Sequence, residues 1–452
     1  MKKLAIICIV LMHSQFTISQ NFVGKWYGTL KVQGVELALV FNISKTETGY
    51  KSTMDSPAQG AKDIPITQTT VSNSTINLEM PAGKISYSGE LRNEVIEGVF
   101  TQNGQTFPMN LTQNGSANKA FKRPQEPKEP FSYYKENIKF ENKSERIFLA
   151  GTLTLPKKEG VYPAVILISG SGPQNRNEEI LGHKPFLVLA DYLTKKGFAV
   201  LRYDDRGVGK SEGDFSTATS ADFATDVESA FAYLKTRKEI NTKKIGLIGH
   251  SEGGLIASMV ASKNKDIRFI ILLAGPGLRG DKLLLLQKEK IERAMGTPES
   301  EILQGQKVFS ELYQMMAEKK EGSQLKNYLT NQKDLPLKEG DINAVVNQLN
   351  SNWMRYYINY DPATALSKTK CALLALNGEN DLQVAFRENL DTIKNASSKA
   401  KNNNTTFKSY PKLNHLFQNS VSGSPSEYQT IEETFSPMVL QDVADWMLLQ
   451  TK

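Results

Sequence analysis

Residues 21–115 alternate between apolar and polar positions in short runs that Gly, Asn and Ser residues separate. Alternation with a period of two, broken by turn residues, is typical of antiparallel strands with one buried face. The segment contains no His or Cys, so it offers no evident nucleophile or metal ligand. We expect a small all-β barrel or sandwich there, with a role in binding or packing.

The pattern changes after residues 116–130, a polar stretch with three prolines that is typical of an extended linker between domains. From residue 131 to residue 452, a predicted hairpin is followed by fully apolar runs that alternate with amphipathic segments. Continuous Val, Ile and Leu runs indicate strands buried on both faces of a parallel sheet. The apolar runs lie at residues 164–169, 198–203, 244–249, 269–274, 372–377 and 406–411. We therefore predict a doubly wound α/β domain.

Residues 279–359 interrupt this alternation with charged helical patterns and no convincing strand. Because the segment lies between two predicted strands, we expect it to project from the carboxyl edge of the sheet, where ligands bind in such folds. It would form a helical cap over a pocket. Some of its apolar side chains either face a substrate or form the core of the cap: Leu283, Leu284, Leu285, Leu286, Met315, Met316, Trp353 and Met354.

Composition narrows the class of protein. Of the 452 residues, 39% are hydrophobic and 23% are charged, which excludes a disordered, collagen-like or polytopic membrane protein. The net charge of +7 is spread along the chain without a block of five Lys or Arg residues, so we expect no nucleic-acid partner.

Residues 1–19 have the layout of a cleavable secretory signal: a basic start at Lys2, an apolar run at residues 4–12 and small polar residues before the cut. The apolar run is too short to span a bilayer as a helix, and a buried N-terminal strand or helix is the alternative. We expect export to the periplasm or the extracellular space. Cys8 would leave with the signal, so Cys371 would be the one remaining thiol and no internal disulfide could form.

A candidate nucleophile follows the apolar run at residues 244–249. The run leads directly into G-H-S-E-G at residues 249–253 and then into a predicted helix. In this strand–turn–helix setting the G-x-S-x-G pattern forms a turn so tight that the flanking positions need glycine. We predict that Ser251 is a nucleophile at the edge of the sheet. An ordinary β-to-α turn is the alternative.

A serine hydroxyl needs a base, and the base needs a group that orients it. In folds of this kind the acid follows a late strand and the histidine follows the next one. Asp381 and His415 occupy these two positions. We predict that Asp381 holds one ring nitrogen of His415 and that the other nitrogen takes the Ser251 proton, with Glu379 as the competing acid.

The histidines and the cysteine that follow the predicted signal lie far apart and lack the spacing of metal ligands. We therefore expect no metal site and no cofactor. We expect His250 to pack beside the sheet. His183, at a predicted helix start, is expected to be structural, with a place in the pocket lining as the alternative.

Donors for an oxyanion are predicted at two places. The loop S-G-S-G-P at residues 169–173 follows the third strand of the α/β domain, where such folds supply one backbone N–H. The second donor is the residue after the nucleophile. We therefore predict that the backbone N–H groups of Ser171 and Glu252 are the oxyanion donors, with Gly172 as the alternative to Ser171. If the loop has no catalytic role, it is a flexible Gly-Ser turn.

The segment D-D-R-G-V-G-K-S at residues 204–211 lacks the spacing of a phosphate-binding loop, and its leading acids would repel phosphate. We predict a buried turn braced by Asp–Arg contacts near the mouth of the active site.

Together these motifs resemble the α/β-hydrolase superfamily over residues 131–452. More narrowly, the motifs at residues 167–178, 202–211, 249–254 and 413–418 resemble exported bacterial hydrolases related to serine aminopeptidases and acyl esterases. The resemblance implies carboxylic-ester hydrolysis through an acyl-enzyme, a triad of Ser251, Asp381 and His415, and a helical cap. One departure is Asn177, where similar sequences often carry an acid. The N-terminal β-domain lies outside the resemblance.

We predict a secreted serine hydrolase that acts on a small-molecule ester and has no integral membrane segment. The sequence predicts no particular oligomeric state. One alternative is an amide hydrolase of the serine aminopeptidase type, in which cap acids such as Glu289, Glu292 or Glu311 would hold a substrate ammonium. Another is an acyl thioesterase. The alternative from a different class is a glycan- or lipid-binding protein with a vestigial hydrolase domain.

Overall fold

The computed structural model describes residues 22–32, 35–57, 61–102, 104–113, 121–332, 337 and 339–452. The predicted signal segment at residues 1–19 and residues 116–120 of the predicted linker lie outside the described residues.

The N-terminal part forms one antiparallel sheet in the order β4-β3-β2-β1-β10-β8-β7-β6-β5, with β9 paired to β8. Its strands are β1 (Gly24–Val32), β2 (Val35–Thr46), β3 (Gly49–Ser56), β4 (Ala61–Pro65), β5 (Gln68–Ser72), β6 (Thr75–Met80), β7 (Ile85–Arg92), β8 (Val95–Gln102), β9 (Gln105–Pro108) and β10 (Leu111–Thr112). Ser52 in β3 accepts hydrogen bonds from the Ile66 backbone N–H at 3.1 Å and from the Thr69 hydroxyl at 3.0 Å. The sheet therefore curls around a core that includes Trp26 and Tyr87.

The C-terminal part contains an eight-stranded mixed sheet in the order β11-β12-β14-β13-β15-β16-β17-β18. Its strands are β11 (Tyr134–Asn142), β12 (Ile147–Leu155), β13 (Tyr162–Ile168), β14 (Ala199–Tyr203), β15 (Ile240–His250), β16 (Phe269–Leu273), β17 (Ala372–Gly378) and β18 (Thr405–Tyr410). The strands from β14 to β18 run parallel, whereas the β11–β12 hairpin and the β12–β14 pair are antiparallel. The predicted hairpin and the six predicted apolar strands are all present.

Helices cover both faces of this sheet, as a doubly wound fold requires. The five that pack on it are α1 (Pro185–Lys195), α2 (Ser220–Thr236), α3 (Glu252–Lys263), α10 (Phe386–Lys399) and α11 (Pro437–Gln450). Apolar side chains of α2, α3 and α10 form the core on one face, and those of α1 and α11 form the core on the other. The α/β-hydrolase fold and the separate all-β part are thus confirmed.

Helices also fill the chain between β16 and β17. They are α4 (Gly280–Ala294), α5 (Glu299–Ala317), α6 (Gly322–Thr330), α7 (Glu339–Leu349), α8 (Asn352–Tyr357) and the short α9 (Ala363–Leu366). We call the segment from α4 to α8 the cap. Met316 and Met354 are buried in a core that the cap helices make among themselves, so these two side chains do not face a substrate. No helix in the described ranges combines the length and the apolar character needed to cross a bilayer.

Candidate active site

Ser251 stands on a sharp turn between β15 and α3. Its backbone angles are φ 51° and ψ −123°, which a residue with a side chain rarely adopts and which store strain. The glycines around it leave no space for a side chain. A Cβ on Gly249 would lie 2.0 Å from the Gly253 carbonyl oxygen, and a Cβ on Gly253 would lie 2.1 Å from the Ile168 carbonyl oxygen. The turn therefore has the geometry of a nucleophile elbow.

The His415 ring contacts Asp381, and both residues are buried. His415 Nδ1 lies 2.9 Å from Asp381 Oδ2, and Asp381 Oδ1 accepts the backbone N–H groups of Gln383 at 2.8 Å and Val384 at 2.9 Å. Because the carboxylate is held at both oxygens, it favours the tautomer with hydrogen on Nδ1 and leaves Nε2 free to accept a proton. Glu379, the competing acid, instead accepts the hydroxyl of Ser409 at 2.8 Å.

Ser251, Asp381 and His415 follow the carboxyl ends of β15, β17 and β18, which lie at one edge of the sheet. The residue before Ser251, His250, places its ring centroid 4.8 Å from that of His415. Within the described residues, no hydrogen bond involves the Ser251 hydroxyl. The structure therefore joins His415 directly to Asp381 and places Ser251 at the same edge without a bond to either.

The loop after β13 lies against Ser251. A Cβ built on Gly170 would come within 3.2 Å of the Ser251 Cβ, so only glycine permits this approach without movement of a neighbour. In the part of the chain that the structure describes, the backbone N–H groups of Ser171 and Glu252 donate no hydrogen bond. Both predicted oxyanion donors are thus free to serve a ligand.

Two polar residues near this edge make contacts that were not predicted. His250 is buried, but it is not a simple packing residue, because its Nδ1 lies 2.9 Å from Glu178 Oε1 and its Nε2 lies 2.9 Å from the His415 carbonyl oxygen. Burial lowers the pKa of His250, but the Glu178 carboxylate and the His415 carbonyl outweigh it, so the pKa is raised overall. Glu178 is the last residue of the motif at residues 167–178, but its contact with His250, 72 positions later in the chain, was not predicted.

The side chain of Glu252 connects the nucleophile helix to its surroundings. Its Oε1 accepts hydrogen bonds from the Ser220 hydroxyl in α2 at 2.5 Å and from the Trp353 indole in α8 at 2.8 Å. Burial raises the pKa of Glu252 to about 6, against the opposite effect of these two donors. For Glu252, the sequence predicted a role only for the backbone N–H, as an oxyanion donor.

Buried polar contacts brace the turn after β14, as its sequence predicted. Arg206 Nε donates to Asp226 Oδ2 at 2.8 Å. Asp205 accepts the Ser169 hydroxyl at 2.7 Å and the Gln174 backbone N–H at 3.0 Å, and burial raises its pKa well above the usual range. This turn therefore fixes both ends of the loop at residues 169–173, the predicted oxyanion loop.

Asn177, the departure noted in the sequence, accepts a hydrogen bond from Arg202. Burial and the neighbouring Arg176 guanidinium lower the pKa of Arg202 to about 10. The Asn177 amide thus holds a buried guanidinium.

His183 is structural, as expected. It is buried, its Nδ1 lies 2.9 Å from the Thr434 hydroxyl and its Nε2 lies 2.8 Å from the Tyr428 carbonyl oxygen. Burial lowers its pKa to about 4, so the ring is neutral. Among the described residues, no group of three or more His, Cys, Asp or Glu side chains is arranged to hold a metal ion.

The family model described as "Serine aminopeptidase, S33" matches residues 184–420, which is just over half of the chain. The chain belongs to the S33 serine aminopeptidase family. The matched range includes Ser251, Asp381 and His415, whereas the oxyanion loop and the N-terminal sheet lie before it. Membership confirms the superfamily that the motifs predicted and makes this chain a hydrolase of the α/β type.

Among individual relatives of this S33 family chain, esterase EstD of Thermotoga maritima is 24% identical over 307 residues, which cover 66% of this chain and 65% of EstD. An acyl transferase of Shewanella hanedai is 27% identical over 246 residues, which cover 54% of this chain and 74% of that protein. The chain thus spans slightly less than two thirds of EstD. Esterase Pf2001 of Pyrococcus furiosus superposes with a TM-score of 0.46 at 15% identity, over 75% of this chain and 100% of Pf2001.

Proposed function

We propose that the protein is a serine hydrolase that cleaves carboxylic esters through an acyl-serine intermediate. The observation that carries the proposal is the buried His415–Asp381 hydrogen bond at the sheet edge where the strained Ser251 turn stands. A nucleophile on a strained turn, an oriented imidazole and free backbone donors are the parts that acyl transfer needs.

In this mechanism Ser251 Oγ attacks the ester carbonyl while its proton passes to His415 Nε2. The carbonyl oxygen becomes an oxyanion, which accepts hydrogen bonds from the backbone N–H groups of Ser171 and Glu252. When the tetrahedral intermediate collapses, the C–O bond to the alcohol breaks and His415 returns the proton to the leaving oxygen. Water then loses a proton to His415 and attacks the acyl carbon. When this second tetrahedral intermediate collapses, the bond between the acyl carbon and Ser251 Oγ breaks, His415 returns the proton to Oγ, and the carboxylic acid is released.

Contacts in the cap support an ester in preference to an aminoacyl amide. An aminopeptidase of this type needs a free carboxylate for the substrate ammonium. Glu289 accepts a hydrogen bond from Arg293 at 3.1 Å, and Glu292 pairs with Lys288, so two of the three candidate acids already have cations on their own helix. The third, Glu311, is exposed on α5.

The test compares Ser251→Ala with the wild type on aryl acetate and butyrate esters and by labelling with a fluorophosphonate. We expect a burst of alcohol release in the wild type, and a loss of both hydrolysis and labelling in the variant. A matched control is Ser262→Ala, which removes a hydroxyl at the far end of α3. Retention of ester hydrolysis by Ser251→Ala would contradict the proposal. Parallel assays with aminoacyl anilides and acyl thioesters separate the two alternative substrates.

We also propose that the protein is exported, on the basis of the charge and hydropathy pattern of residues 1–19. The mature N-terminus, measured by mass spectrometry of protein from the periplasmic and extracellular fractions, is expected near Gln20. An uncleaved chain in the cytoplasm would contradict this.

A further inference from the structure

One buried carboxylate and one buried imidazole connect three segments at the catalytic edge. Glu178 Oε1 accepts the backbone N–H of Gly170, in the oxyanion loop, at 2.6 Å. The same oxygen lies 2.9 Å from His250 Nδ1, next to the nucleophile. The other nitrogen of that ring reaches the carbonyl oxygen of His415 at 2.9 Å. Glu178 and His250 therefore connect the oxyanion loop, the nucleophile turn and the loop of the catalytic base.

The partners of His250 determine its protonation. One ring nitrogen faces a carboxylate oxygen and the other faces a carbonyl oxygen, and both of these groups accept hydrogen bonds in this arrangement. With Glu178 ionised, both nitrogens carry hydrogen in this arrangement, which makes the ring an imidazolium. His183 shows the contrast within the same molecule, because its Nδ1 faces a hydroxyl that can donate and the neutral ring satisfies both contacts.

Three groups packed around His250 favour the positive charge, whereas the His415 ring, with its centroid 4.8 Å away, opposes it when it takes up the proton in the proposed mechanism. Glu178 comes from the loop after β13, Asp381 from the loop after β17 and the His415 carbonyl from the loop after β18, and each of them favours the imidazolium. Asp205, from the turn after β14, faces Glu178 and has a pKa that burial raises well above its usual range. Glu178 Oε2 has no hydrogen-bond partner among the described residues, so His250 supplies the positive charge that this carboxylate contacts.

We propose that Glu178 and His250 form a buried ion pair that positions the oxyanion loop and the catalytic histidine relative to Ser251. The inference rests on the proposed function and adds two positioning residues to it. Neither touches the reacting atoms. The pair fixes the backbone of Gly170 and the backbone of His415, and displacements of about 1 Å in such groups lower kcat by roughly 100-fold while leaving substrate binding largely intact.

Glu178→Gln is the most direct test, because an uncharged glutamine beside an uncharged His250 cannot keep all three contacts: Gly170 N–H to Oε1, His250 Nδ1 to Oε1, and His250 Nε2 to the His415 carbonyl. If the amide oxygen replaces Oε1, the imidazolium loses its counter-charge. If the amide nitrogen replaces it, that nitrogen faces the Gly170 N–H as a second donor. We expect kcat to fall roughly 10- to 100-fold with KM nearly unchanged. Glu136→Gln, which removes a β11 carboxylate from its ion pair with Arg237 at the end of α2, is the control and is expected to keep wild-type kcat.

The pH profile distinguishes a charged pair from a merely structural contact. In Glu178→Gln, burial still lowers the pKa of His250 and only the His415 carbonyl and Asp381 oppose it, so the ring loses its proton at a lower pH than in the wild type. The ratio of variant to wild-type kcat/KM is therefore expected to be closest to one near pH 6 and to fall towards pH 8. A ratio that is constant across this range would overturn the ion pair.

Two further variants show which ring nitrogen of His250 positions the catalytic histidine, Nδ1 through Glu178 or Nε2 through the His415 carbonyl. His250→Gln places an amide N–H near the position of Nε2, and His250→Asn places one near Nδ1. We expect the first to retain more kcat, because it keeps the bond to His415. All variants are checked for a cooperative thermal transition. Wild-type kinetics in Glu178→Gln and His250→Asn, with Ser251 still essential, would overturn this inference alone, whereas unchanged hydrolysis by Ser251→Ala would overturn the proposed function as well.

Discussion

The indole N–H of Trp353, in the cap, donates a 2.8 Å hydrogen bond to the carboxylate of Glu252, the residue directly after the candidate nucleophile. Trp353 also stacks on Tyr357, with ring centroids 4.7 Å apart. The backbone N–H of Glu252 is one proposed oxyanion donor, and its side chain is held between α2 and α8. The position of the cap is therefore coupled to the first turn of the nucleophile helix.

Trp353→Phe is expected to lower the free energy of unfolding by about 2 kcal/mol, because it keeps an aromatic ring and removes a hydrogen bond to a buried charged acceptor. Urea denaturation at pH 8 measures the change. Trp446→Phe is the matched control, since its indole donates to the neutral hydroxyl of Thr406 at 3.2 Å. That variant is expected to lose about 1 kcal/mol. An equal loss in both variants would contradict a charged Glu252.

Glu252 is expected to make stability depend on pH between about 4.5 and 6. Its pKa in the folded state is about 6, above the ordinary value of 4.5, so the folded state binds the proton more tightly than the unfolded chain. Stability from this group is therefore present at acid pH and is lost as the pH rises through 6, by about 2 kcal/mol. Unfolding free energies of the wild type and Glu252→Gln, measured from pH 4 to 8, should diverge in this direction. A constant difference would contradict the raised pKa.

His183 is expected to act in the opposite direction. Its pKa is about 4 in the folded protein and 6.5 in the unfolded chain, so only the unfolded chain takes up a proton between these values. Stability from the neutral ring is fully present above pH 6.5 and falls by about 3 kcal/mol as the pH drops to 4. In His183→Gln this fall is expected to disappear, whereas ester hydrolysis at pH 8 keeps the wild-type kcat. If the variant and the wild type lose the same stability on acidification, the assignment is wrong.

Much of the fold and part of the site could be predicted because the signals are local. The hairpin pattern and the six apolar runs together predicted the eight strands of the α/β sheet, and the spacing of the glycines around Ser251 predicted the tight turn whose glycines exclude a Cβ. The choice of Asp381 over Glu379 agrees with the geometry, although its role in catalysis remains a prediction. The contacts of Glu178 with His250 and of Glu252 with Trp353 join positions 72 and 101 residues apart. No periodicity or short motif encodes such pairs, because each depends on which loops the completed sheet brings together.

The assignment of the acid is tested by exchanging each candidate carboxylate for its amide. In Asp381→Asn, the amide nitrogen competes as a donor at Nδ1 and favours the His415 tautomer with hydrogen on Nε2, which cannot accept the Ser251 proton. We expect kcat for aryl esters to fall roughly 10³- to 10⁴-fold. Glu379→Gln keeps an oxygen that can accept the Ser409 hydroxyl, so its kcat is expected to stay within about twofold of the wild type. A large loss in Glu379→Gln together with a small loss in Asp381→Asn would show that Glu379 is the acid, since the two side chains lie on the same loop and compete for one histidine.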